Sequence, residues 1–97
     1  SHGFDAIVLT RKTYVTKPFR ALRVTGTWLT PRPDARGQVR LELRRGAGWS
    51  AFPLPAVPDG SGRFVAYINL GPAGRYLLRV VGAGGGPVSA PVVVTVR

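Results

Sequence analysis

The 97-residue chain has no cysteine, no methionine, one histidine and only four carboxylates. Each scarcity removes a class of chemistry. Without thiols there is neither a disulfide framework nor a thiolate metal site. His2 is the lone imidazole and follows Ser1, in a start (residues 1–3) that reads as a tag remnant, so Ser-His-Asp, Cys-His and His-metal arrangements cannot be assembled. A paired-carboxylate hydrolase would have to draw on Asp5, Asp34, Asp59 and Glu42. Asp34 and Asp59 lie among turn residues, and Glu42 lies between Arg40 and Arg44, where ion pairing accounts for it. The expectation is a domain that is not an enzyme, with no cofactor and no metal site. The absence of methionine further suggests a segment processed or excised from a longer protein. No run reaches the ~18 apolar residues of a membrane helix, so no membrane insertion is expected of these residues.

The shortage of acid leaves 14 Lys and Arg side chains and a formal charge of +10, and all but Lys12 and Lys17 are arginine. A field of that size around so small a body attracts anions. A chain rich in Ala, Gly, Pro and Val also acquires arginine through GC-rich codons, so charge by itself does not name a partner.

Helical patterning is missing as well: no 11-residue stretch free of Pro and Gly repeats apolar residues at i, i+3, i+4 and i+7. The recurring period is two. Leu22, Val24, Gly26 and Trp28 alternate with Arg23, Thr25 and Thr27, and Val39, Leu41 and Leu43 with Arg40, Glu42 and Arg44. Phe64, Ala66 and Ile68 alternate with Val65, Tyr67 and Asn69, and Tyr76, Leu78 and Val80 with Leu77, Arg79 and Val81. One apolar face per run is what strands of a two-layer structure require. Turn chemistry at residues 30–37, 58–62, 71–74 and 82–87 separates the runs. The spacing predicts one all-β domain over 4–97, an immunoglobulin-like sandwich of about seven antiparallel strands in two sheets. The strands are expected near 4–9 (with a continuation at 13–16), 20–29, 38–45, 48–54, 63–70, 75–82 and 90–97.

From Asp59 to Val81 the chain reads D-G-S-G-R-F, then G-P-A-G-R-Y-L-L-R-V-V, and Ser89–Val96 supplies a β-branched final run. These residues resemble the C-terminal half of bacterial Ig-like and fibronectin type III-like modules of secreted and cell-wall-associated proteins. The resemblance implies a secreted, periplasmic or cell-surface accessory domain that binds or spaces its neighbours. It departs from antibody domains in lacking the inter-sheet cysteines and the tryptophan between them. Tyr76, near the start of the penultimate strand, stands where such sandwiches pin a corner by a tyrosine hydroxyl bonded to backbone.

In that arrangement Arg40, Arg44, Arg75 and Arg79, with Arg97 on the last strand, share one outer face, with Trp49 either beside them or capping the core. Guanidinium groups suit bidentate contact with carboxylate or phosphate. The competing reading is a solvated face that discourages edge pairing. A second cluster, Arg11, Lys12, Lys17, Arg20 and Arg23, is equally consistent with solubility. The expected partners are neighbouring domains and an anionic polymer, a wall polymer in the first instance. The alternatives are a protein docked on an exposed edge or on Leu77, Val81 and Val93, and, less favoured, nucleic acid on the basic face.

The inward positions predict a core of Leu22, Val24, Trp28, Val39, Leu41, Leu43, Phe64, Ile68, Tyr76, Leu78, Val80, Val92, Val94 and Val96. Leu41→Ala is expected to lower stability by ~2 to 5 kcal/mol, measured by chemical denaturation; an unchanged midpoint would reverse the assignment of faces.

Overall fold

The computed structural model describes residues 5–31 and 37–97; the start at Phe4 and the part of the first long loop containing Asp34 lie outside the described residues. Eight strands form: β1 (Ala6–Leu9), β2 (Thr13–Thr16), β3 (Leu22–Leu29), β4 (Val39–Arg45), β5 (Gly48–Ala51), β6 (Arg63–Ile68), β7 (Gly74–Gly82) and β8 (Val92–Val96). They make two sheets, ordered β1-β3-β6 and β2-β8-β7-β4-β5. This is an all-β, immunoglobulin-like sandwich.

Two details differ from the alternation-based expectation. Residues 13–16 do not continue the first strand but form a strand of the opposite sheet. Thr10 still donates its N–H to Thr25 O at 3.0 Å in the small sheet, and Lys12 O already accepts from Val93 N at 3.2 Å in the large one. The crossing occupies the polar segment between them, so β2 lies parallel to β8, with Tyr14 beside Val94 and Thr16 beside Val96. That pair is the exception in an otherwise antiparallel set. β5 is also shorter than expected. Phe52 N still bonds Leu41 O and Ala56 bridges Val39, but Pro53 and Pro55 have no N–H to continue the ladder.

The inward residues are those the period-two runs point to, with Leu22 and Tyr76 at the margin rather than fully buried. Ile7, Tyr14, Ala56, Ala66 and Leu70 complete the buried set. Gly26 sits inside β3 because there is no room for more: a Cβ there would lie 2.7 Å from Phe64 Cζ and 2.8 Å from the Val8 carbonyl oxygen.

Two turns set the ends of the sandwich. Asp59 organises the one before β6. Its Oδ1 accepts from Ser61 Oγ (2.7 Å), Ser61 N (2.9 Å) and Arg63 N (3.1 Å), and Gly62, rather than Gly60, takes the positive φ, at 89°. At the opposite end, Arg20 N donates to Lys17 O at 3.2 Å across Pro18 and Phe19. Phe19 has φ 58°, the third position of a type II turn, which normally takes Gly or Asn.

The Asp59 carboxyl is held below its ordinary pKa by the Ser61 hydroxyl and then by the Ser61 and Arg63 amides. A folded pKa below the unfolded one stabilises above the unfolded value and loses that contribution as pH falls through the folded value. A carboxyl NMR titration is expected to show Asp59 protonating at lower pH in the folded than in the urea-unfolded chain. Asp59→Asn should flatten that part of the acid limb of melting temperature against pH.

Candidate functional site

Alternation in the large sheet decides which side chains face out. On β4 these are Arg40, Glu42 and Arg44; on β7, Arg75, Leu77, Arg79 and Val81; on β8, Val93 and Thr95; on β2, Thr13 and Val15. The predicted Arg40, Arg44, Arg75 and Arg79 therefore share one face. They do not form an even patch.

Arg79 is engaged within the fold. It stands opposite Glu42 in the β4–β7 register, and its Nε donates to Glu42 Oε1 at 2.7 Å. Its guanidinium carbon lies 4.3 Å from the centroid of the Trp49 ring. The Arg44 guanidinium, opposite Trp49 in the β4–β5 register, lies 5.6 Å from the same ring, and its Nε donates to Gly46 O at 2.8 Å. Trp49 is thus half-buried on the outer face beneath two cations, and does not cap the core. A cation over a tryptophan face contributes ~0.5 to 2 kcal/mol depending on desolvation, and here it orders the end of the β4–β5 hairpin.

Arg40 and Arg75 are exposed and lie toward opposite ends of the face. Between them on β7 lie Leu77, which pairs with Val93 in a short apolar strip, and Val81, which pairs with Arg40; beyond Val93 the strip ends at Thr13. Val15, 57% exposed, stands on the edge strand opposite Thr95. Beside Arg40, a hollow opens between β4, Pro55 and the glycine loop at 82–85. Tyr76 lies at the other end, half-buried, and its hydroxyl donates to Pro72 O at 2.7 Å, four residues upstream. Phe19, the most exposed large apolar side chain among the described residues, carries no signal in the sequence: Lys17-Pro-Phe-Arg20 reads as an ordinary polar loop, and only the backbone geometry distinguishes it. Among the described residues no three His, Cys, Asp or Glu side chains converge as metal ligands, and no helix is long and apolar enough to cross a membrane.

No family model matches the chain, and no curated protein is similar to it in sequence. Solved structures share its architecture. The Lin-41 filamin domain superposes with a TM-score of 0.61 at 16% identity, over 96% of this chain and 91% of that one. The likeness places the chain in the immunoglobulin-like sandwich class by fold. With 137 solved chains matching, the fold is too widely used to specify what it binds.

Removing the Tyr76 hydroxyl isolates the corner bond. Tyr76→Phe is expected to cost ~0.5 to 1.5 kcal/mol in a denaturant melt with an unchanged far-UV spectrum.

Proposed function

We propose that this domain is a non-catalytic interaction module that docks an acidic segment of a protein partner on the outer face of β2-β8-β7-β4-β5. The observation that carries the reading is the make-up of that face. A short apolar strip of Leu77 and Val93, with Val81 further along β7, lies among Arg40, Arg44 and Arg75, while Glu42, the carboxylate of that face, is taken by Arg79. Protein interfaces combine apolar area with arginine and tryptophan in this way. Guanidinium groups around the strip that hold no carboxylate among the described residues favour acidic groups and speed encounter with an acidic partner.

Base stacking, which single-stranded nucleic acid would use, needs an open aromatic ring, and the aromatic of this face, Trp49, has Arg79 over it. A wall polymer rich in phosphate would use the cations and leave the apolar strip idle, so the protein reading accounts for more of the surface. The secreted or cell-surface setting is carried with this proposal and rests on the resemblance over Asp59–Val81 alone, because a sandwich without cysteine folds alike in either redox environment.

The test is fluorescence anisotropy with labelled poly-glutamate, an oligothymidylate and a polyol-phosphate polymer at physiological salt. Poly-glutamate is expected to bind, with affinity falling as salt rises. The Arg40→Glu/Arg44→Glu pair is expected to weaken it about tenfold, equivalent to about 1.4 kcal/mol. Tighter binding of the oligonucleotide or the polyol phosphate would overturn the proposal, and silence from all three would leave a spacer.

A further inference from the structure

We infer that the end of the sandwich built around the β2–β3 turn is a second docking site, adjoining the sheet face at its β2 edge but centred on Phe19, and that its occupant is an acidic peptide carrying an apolar side chain. Phe19 is held at φ 58°, a conformation that disfavours a bulky side chain, yet the ring gains little burial in return and is 81% exposed. Its position is nevertheless determined. Phe19 N donates to Leu70 O at 2.9 Å, and the ring lies across Gly71, where a Cβ would come within 2.7 Å of Phe19 Cε1. Backbone strain that displays an aromatic ring, rather than hiding it, is the kind of outlier that points to a binding role.

The surroundings define the partner. Beside the turn, Lys17, Arg20 and Arg97 line a hollow together with Val15 and Leu22, and Arg97 is tied to the same corner by its N–H to Thr16 O at 3.0 Å. Carboxylates are segregated from this end. Leu22 pairs with Ile68 here, whereas Ala6, next to Asp5, pairs with Leu29 at the far end of β3, roughly 24 Å away along the strand. The Asp59 turn lies at that far end too, where Gly62 O accepts from Trp28 N, and Glu42 is engaged by Arg79. The cations near Phe19 therefore face no side-chain carboxylate within a screening length of ~8 Å among the described residues. A peptide is favoured over a lipid surface by the pose of the ring: its outer atoms Cε1 and Cζ lie against Gly71, whereas insertion among headgroups calls for a projecting tip.

The experiment uses two labelled peptides, one with glutamates flanking a central leucine and one with serine in its place. The wild type is expected to prefer the leucine peptide several-fold. Phe19→Asn relieves the backbone, since Asn tolerates this conformation, so it should melt at or above the wild type while losing the preference. Lys17→Glu/Arg20→Glu should weaken both peptides, and Arg40→Glu/Arg44→Glu should leave the leucine preference intact, which separates this site from the sheet face. Absence of the preference in the wild type, its survival in Phe19→Asn, or a clear drop in that variant's melting temperature would each overturn the inference. So would binding to phosphatidylserine vesicles in place of the peptides.

Discussion

Burial of every second side chain between two sheets constrains nearly everything else in this molecule. Val24, Leu41, Leu78, Val80 and Val94 are hidden because their strands have one face against the opposite sheet, and the two layers must interdigitate to exclude water. The same pleat forces Arg40, Glu42, Arg44, Arg75 and Arg79 outward. Gly26 belongs to this constraint as well: Phe64 and the Val8 carbonyl occupy the space its side chain would need. The outer surface is therefore no accident of composition alone, since the core decides which residues are displayed and in what rows.

The second organising element is the scarcity of carboxylate. The acids that are described serve local ends: Glu42 holds Arg79 over Trp49, and Asp59 gathers three donors in the turn before β6. With these committed, most of the described arginines have no carboxylate partner among the described residues, and the positive field is left for other molecules. Its distribution is uneven. It flanks an apolar strip on one face and surrounds a strained, exposed aromatic at one end, and both arrangements join charge to apolar contact in a way that a uniformly solvated surface would not. An immunoglobulin-like sandwich supports such surfaces without catalytic machinery, because its rigid layers hold side chains on strands at fixed spacing.

Much of this could be read from the amino-acid order. The period-two runs around Val24, Leu41, Phe64 and Leu78 determine the all-β class and nearly all of the core, since alternation is a local property that needs only one buried face. The sharing of one face by Arg40, Arg44, Arg75 and Arg79 follows from the same periodicity once strand neighbours are assigned. Other features were decided only by the assembled structure. The move of residues 13–16 into the opposite sheet depends on pairing with β8, some eighty residues away. Trp49 lies on the outer face because Arg79 and Arg44 converge on it from two different strands. The left-handed backbone of Phe19 comes with contacts to Leu70 and Gly71, which follow the neighbouring strand β6. The dividing line is physical: what depends on residues adjacent in the chain was written in its pattern, and what depends on distant strands meeting appears only when both sheets are in place.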